Sequence, residues 1–299
     1  MSVKVIKLGF LGLNVVKLDE MLHHYGKVLG LSTTADTGAG EAYFSCGNEH
    51  HAISFFRGDQ PGHRHVGLEI APEQTLEEAS RALTAGGVRN EIQTSRFHGI
   101  DKVIELHDPD GYPVYLYSGM TQSDVPFSSN GSGIAPRKLG HVAMHANDAR
   151  VSTEFFTEQL GFRWSDWMAD FFVFLRCNAD HHSLNFMTSP RRGMFHVAFE
   201  VADFSQIGRA CDILGTHGIP LIWGPGRHGV GHNIFTYHHD PDGNIVEVFA
   251  DMDRISDERL GYFDPRPHHQ DFPQKPKVWP RELVAANMWG IPPPPGFEA

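Results

Sequence analysis

Three positions carry most of the chemical weight in this chain: His141 in GHVAMH, His196 in MFHVAFEV and Glu247 in NIVEVF. Each lies in an apolar stretch of strand character. An unpaired carboxylate buried there costs several kcal/mol, so Glu247 needs a cation or a strong donor beside it. Two neutral imidazoles and one carboxylate form the facial triad that holds iron(II) and leaves coordination positions open. Such a site can bind a substrate and dioxygen together. A lone His or Glu in a strand is more often a satisfied core or edge residue than a ligand, so the weight rests on where the three fall together.

They fall on one copy of an internal repeat. LGFLGLNVVKLDEMLHHYGKVLGL from Leu8 aligns with LGHVAMHANDARVSTEFFTEQLGF from Leu139, CGNEHHAISFF from Cys46 with CNADHHSLNFM from Cys177, and HVGLEI from His65 with HVAFEV from His196, each at an offset of 131 residues. HDPDGYPVYLY from His107 aligns with HDPDGNIVEVF from His239 at an offset of 132. His141 therefore faces Phe10, His196 faces His65 and Glu247 faces Tyr115. Only the second copy can assemble a complete triad. His145, near His141 on the same strand face, is a candidate for an outer role around the site.

Each copy reads as two βαβββ modules, an α+β architecture of two tandem domains in which each domain forms an open barrel. The expected boundaries are a first domain at 1–120 without a metal, a linker at 121–135 containing the Ser/Gly-rich SSNGSG, a metal-bearing domain at 136–250, and a tail at 251–299. Helices are expected over 147–161, capped by Asn147 or Asp148 and presenting Phe155, Phe156 and Leu160, and over 204–215. The two DPDG tetrapeptides are turns, with proline presetting one dihedral and glycine permitting the next. The Pro- and aromatic-rich tail is expected to lie over the surface or a site mouth as irregular structure, with one short helix near 281–288.

Composition narrows the function classes. Lys plus Arg number 25 against 36 Asp plus Glu, a formal net charge of −11 that disfavours nucleic acid and anionic membranes as partners. No apolar run approaches the roughly 18 residues of a membrane span, and the start lacks a signal-peptide pattern, so a cytoplasmic location is expected. The three cysteines, Cys46, Cys177 and Cys211, are scattered without a CxxC pair and read as reduced structural thiols. Twenty histidines are too many for richness alone to identify a site.

The stretch GRHGVGHNIFTYHHDPDGNIVE at 226–247 follows the signature of a GxH start, a Tyr, a Pro-x-Gly turn and a liganding Glu. On it, the chain resembles the type I extradiol ring-cleavage dioxygenases of the vicinal oxygen chelate superfamily, the catechol 2,3-dioxygenase and 2,3-dihydroxybiphenyl 1,2-dioxygenase family. Thr236, where that family usually has an aliphatic residue or Phe, is a departure at a non-reacting neighbour. The resemblance implies that His141, His196 and Glu247 hold iron(II), with manganese(II) also compatible, and that dioxygen is a cosubstrate. It implies that His182 is the acid–base histidine, and that His228 and Tyr237 stabilise the bound substrate. His182 lies 14 residues before His196, and His228 and Tyr237 lie 19 and 10 residues before Glu247. It further implies a small aromatic diol as substrate and a homo-oligomeric assembly. His181, next to His182, is expected on the opposite strand face in a structural role. Residues around Phe186 and Met187, and the 251–299 tail, are candidates to line or cover the pocket. Two other classes stay open: a glyoxalase-type lyase or isomerase that uses a metal without oxygen, and a metal-free aromatic-binding protein.

Overall fold

The computed structural model describes residues 2–123 and 133–297. Most of the expected linker, 124–132, lies outside them. The order of elements is four βαβββ units in succession. The first runs through β1 (Val5–Val15), α1 (Leu18–His23, continuing in a wider turn to Val28), β2 (Ser32–Asp36), β3 (Glu41–Ser45) and β4 (Ile53–Arg57). The second comprises β5 (Gly62–Ile70), α2 (Leu76–Ala85), β6 (Asn90–Phe97), β7 (Ile100–His107) and β8 (Pro113–Tyr117). β9 (Lys138–Ala146), α3 (Ala149–Leu160), β10 (Arg163–Met168), β11 (Phe172–Arg176) and β12 (Leu184–Thr188) form the third. β13 (Met194–Glu200), α4 (Phe204–Thr216), β14 (Leu221–Arg227), β15 (Ile234–His239) and β16 (Ile245–Ala250) form the fourth.

Paired units share one curled sheet. The first has the strand order β2-β3-β4-β1-β5-β8-β7-β6 and the second β14-β15-β16-β13-β9-β12-β11-β10, with a short tail strand, β17 (Lys277–Trp279), added beside β10. The tail is thus more regular than expected: β17 pairs in parallel with Asp166–Met168, because β10 otherwise presents an open edge. The short helix α5 (Leu283–Ala286) falls inside the expected 281–288 window.

Helix positions follow from local chemistry. Asp148 caps α3 by accepting from the Arg150 N–H, and Gly161 ends it at φ 72°, a left-handed conformation that favours glycine. Phe156 and Leu160 are buried while Phe155 is half-buried, so the apolar stripe is narrower than the sequence suggests. Asp203 caps α4 in the same way through the Gln206 N–H. In the DPDG turns, Asp108 Oδ1 accepts from the N–H groups of Asp110 and Tyr112, and Asp240 Oδ1 accepts from those of Asp242 and Asn244.

The two sheets meet at a buried contact in which His24 Nε2 lies 3.2 Å from His238 Nε2 and the Tyr25 hydroxyl donates to Asp240 over 3.2 Å. Burial lowers the His24 pKa to about 4 and that of His238 well below 6.5; His51 and His65 in the first sheet are depressed for the same main reason. Burial raises Asp108 and Asp240 to about 6. The histidines take up protons only on unfolding, so they remove stability as pH falls below about 6.5, whereas the two carboxyls hold protons in the folded state and act in the opposite sense. Four imidazoles outweigh two carboxyls. The melting temperature is expected to be lower at pH 5 than at pH 7 in a calorimetric pH series. A level or rising value would show that these rings are charged in the folded protein.

Candidate active site

Four adjacent strands of the second sheet, β15-β16-β13-β9, each supply one side chain to the same concave face. Register does this: His141 on β9 lies opposite Ala198 on β13, Ala198 lies beside Glu247 on β16, and Glu247 lies opposite Tyr237 on β15. His196, two residues before Ala198 on the same strand, presents its ring to this face as well by strand alternation. His141, His196 and Glu247 are all buried, at 1%, 4% and 1% exposure.

His141 Nε2 is 3.1 Å from His196 Nε2 and 3.0 Å from Glu247 Oε2, and His196 Nε2 is 3.2 Å from the same oxygen. Three donor atoms at right angles around one ion, with bonds of about 2.1–2.2 Å, would be about 3.0 Å apart. The donor set therefore fits a divalent cation. The Nδ1 atoms of both histidines are buried without a partner among the described residues, a cost of about 1–3 kcal/mol each that strong bonds at Nε2 would have to offset. Burial pushes the Glu247 carboxyl up, but the two imidazoles against it more than reverse this and hold it well below the usual range.

Around this triangle, Asn233 Nδ2 donates to Glu247 Oε1 at 2.8 Å, which leaves Oε2 toward the imidazoles. The Tyr237 hydroxyl sits 2.9 Å from Glu247 Oε2 and 3.0 Å from His228 Nε2, so one phenolic proton faces two acceptors. His228 is fixed as the Nδ1–H tautomer by the Ala286 carbonyl at 2.5 Å, and burial lowers its pKa to about 4, so its Nε2 is an acceptor.

His182 lies against the triad, its ring centroid 4.3 Å from that of His141. Its neighbour departs from expectation. Residues 181–183 precede β12 as irregular backbone, so strand alternation does not apply, and the two rings meet with Nδ1 atoms 2.8 Å apart. His181 Nε2 also lies 3.2 Å from Asp166 Oδ2, which accepts from Trp279 Nε1 at 2.8 Å, while Asp166 Oδ1 accepts from the Lys277 N–H at 2.8 Å. A carboxylate only accepts, so His181 Nε2 must donate. With Nε2 donating, His181 offers Nδ1 as the acceptor, His182 donates from its own Nδ1, and His182 Nε2 is left as the unprotonated nitrogen. Burial, with His141 and His181 alongside, keeps the His182 pKa well below 6.5.

The pocket above these groups has apolar walls of Met168, Phe172, Phe174, Phe195, Trp223 and Val230. Phe297 of the tail closes one side, its ring 5.1 Å from those of Trp223 and Tyr237. Gly229 and Gly231 permit this closure: a Cβ on Gly229 would lie 2.2 Å from the Val284 carbonyl oxygen, and one on Gly231, at φ 74°, would lie 3.1 Å from His181 Nδ1.

The structure thus gathers His141, His182, His196, His228, Tyr237 and Glu247 around one pocket. Phe186 is not there; Asn185 lines the pocket and alternation turns Phe186 onto Phe156, 4.8 Å away. Met187 sits in the adjoining apolar cluster without lining the cavity. His145 opens onto a different cleft with Phe195 and Ile222. Asp166, Asn233 and the tail carbonyls escaped the sequence reading because nothing in their local pattern marks them; only Asn233 falls within the signature stretch.

The chain matches the Glyoxalase/Bleomycin resistance protein/Dioxygenase superfamily over residues 7–116 and 138–248, and it belongs to that superfamily. Among individual relatives it is 26% identical over 267 residues to metapyrocatechase of Pseudomonas sp. (strain CF600), covering 83% of this chain and 87% of that protein. The structure of the 2,3-dioxygenase LapB from Pseudomonas sp. KL28 superimposes with a TM-score of 0.81 at 26% identity, over 94% of this chain and 99% of the other. The Mn(II)-bound glyoxalase from Novosphingobium aromaticivorans does so with a TM-score of 0.83 at 26% identity, over 97% and 92%.

Replacing Asp166 by Ala removes the acceptor that sets the His181 tautomer. A shifted pH profile with unchanged metal content is the expected outcome. An unchanged profile in the folded variant would remove Asp166 from any role in positioning His182.

Proposed function

We propose that this chain is an extradiol dioxygenase that opens the ring of a catechol-type diol beside its two hydroxyls, consuming one dioxygen and giving a muconic semialdehyde-type product. The observation that carries this is the convergence of His141, His196 and Glu247 at the base of an apolar pocket whose remaining polar groups are His182, His228, Tyr237 and two asparagines. In this reading 136–250 is the metal-bearing domain and 1–120 its metal-free counterpart. His141, His196 and Glu247 would hold iron(II), or manganese(II), which when bound would supply a common template and an electron path for diol and dioxygen.

The chain's own residues do the rest. The aromatic walls bind the ring face and exclude water. The Tyr237 hydroxyl donates to a diol oxygen as charge develops there, and His228 Nε2 accepts from a diol hydroxyl or from Tyr237. His182 Nε2, unprotonated in the resting arrangement, takes a proton from the diol and returns it when oxygen is inserted, general acid–base work suited to imidazole. A homo-oligomer in the cytoplasm completes the reading; among the described residues no helix is long and apolar enough to cross a membrane.

The test is to load the protein anaerobically with iron(II), admit oxygen with a panel of catechols, and follow oxygen uptake and the yellow ring-opened product together. Equimolar uptake and product are expected. Absence of both across single-ring, biaryl and fused-ring diols, with metal bound, would overturn the reading. A glyoxalase-type isomerase is the second reading, favoured by the likeness to the Mn(II)-bound glyoxalase, and it consumes no oxygen. His182→Phe is expected to lower turnover about 10²–10⁴-fold with metal content unchanged. Glu247→Ala is expected to release the metal, and full occupancy in that variant would remove Glu247 from the ligand set.

A further inference from the structure

Away from the pocket triad, the described residues bring a second set of metal-ligand side chains together: His232, Asp253, His268 and His269, each offering one atom within 4.8 Å of the others. His232 lies in the loop between β14 and β15, Asp253 just beyond β16, and the adjacent histidines in the tail. His232 Nδ1 is 2.7 Å from Asp253 Oδ2, His269 Nε2 is 2.8 Å from Asp253 Oδ1, and His268 Nε2 is 3.7 Å from that oxygen. The three rings surround the carboxylate with pairwise centroid distances of 5.1, 5.0 and 5.2 Å. His232, Asp253 and His269 are buried, and the His268 side chain is 18% exposed.

Hydrogen bonding alone accounts for this cluster incompletely. Asp253 accepts from His232 and His269, yet His268 Nε2 is buried, turned toward the same carboxylate and without a hydrogen-bond partner among the described residues. Donors bound tetrahedrally at about 2.0–2.1 Å would be about 3.3 Å apart, and Asp253 Oδ1 lies 2.8 Å from His269 Nε2 and 3.7 Å from His268 Nε2, on either side of that value. Three imidazoles and one carboxylate form a closed four-ligand set suited to zinc(II), which has no d-electron geometric demand; calcium and magnesium would want more oxygens. An outer carboxylate is also present. Asp251 Oδ2 lies 4.0 Å from His268 Nδ1, while Asp251 itself is held by Arg227 and Arg266.

The backbone around the cluster reaches the pocket. The Asp253 N–H donates to the Gly231 carbonyl at 2.9 Å, and the Asp253 carbonyl accepts from the His181 N–H at 2.9 Å. His232 itself has φ 51°, an uncommon conformation for a side-chain-bearing residue, in the loop that carries His228 and Asn233. We propose that His232, Asp253, His268 and His269 form a second metal site that takes one zinc(II) ion and clamps the tail onto the loop bearing His228 and Asn233. This zinc is structural and separate from the ion of the triad.

The experiment uses the full chain, reconstituted with iron(II), dialysed with and without zinc, and counted for both metals per chain by mass spectrometry. One zinc retained without loss of iron is expected, and cobalt(II) in its place should give the intense visible absorption of a four-coordinate ion. His268→Ala and His269→Ala are each expected to weaken zinc binding at least about tenfold while iron content holds. His268 is the more exposed of the two, so His268→Ala with an unchanged circular dichroism spectrum decides the matter if His269→Ala does not fold. Zinc bound only in exchange for iron, or zinc binding unaffected by His268→Ala, would overturn the proposal. Zinc is counted independently of turnover, so failure here leaves the proposed ring cleavage untouched.

Discussion

A carboxylate buried between two imidazoles is the constraint around which the second half of the molecule is organised. Glu247 is 1% exposed, and leaving its charge without compensation would cost several kcal/mol. Its two oxygens are divided: Oε1 takes the Asn233 amide, and Oε2 meets His141, His196 and Tyr237. One side chain from each of four neighbouring strands can converge this way only because the sheet curls. The unbroken pairing of His196–Ala198 with His141–Ala143 keeps both rings on that face.

The two copies show how little separates a face that gathers two histidines and a glutamate from a packed one. In the second copy the β15–β16 pair sets Tyr237 opposite Glu247, while in the first the β7–β8 pair sets Glu105 opposite Tyr115. The same two residue types occur with their strands exchanged. Glu105 then bonds Gln93 near the sheet margin, and Tyr115 occupies the central position. Phe10 fills the place of His141, packing over Gly67 and against the His65 ring at 5.7 Å. The outcome is an aromatic cluster around the His51 and His65 imidazoles.

Proton position in the second copy is set at a distance from the pocket. Asp166 on β10 takes hydrogen bonds from the tail through the Trp279 indole and the Lys277 N–H, and it faces His181, which in turn faces His182. The Ala286 carbonyl, also from the tail, fixes the tautomer of His228. The tail therefore does more than cover an opening. It assigns the nitrogens that accept at the two histidines flanking the triad.

Much of this was legible in the residues themselves. The repeat offset, the turn tetrapeptides and the helix caps give four βαβββ units, because hydrophobic period and capping chemistry are local. The His, His and Glu pattern stands out because the first copy supplies an internal comparison. Strand alternation misled at His181 because the backbone there is irregular, whereas around Phe186 the pattern did not say which neighbour faces the pocket, and Asn185 does. The tail looked irregular from its prolines, yet β10 had an edge to be paired. Asp166, Asn233, the Ala286 carbonyl and the His232–Asp253–His268–His269 group were decided only by tertiary structure: their partners lie from 14 to 113 residues away along the chain, and a backbone carbonyl carries no signature in sequence at all.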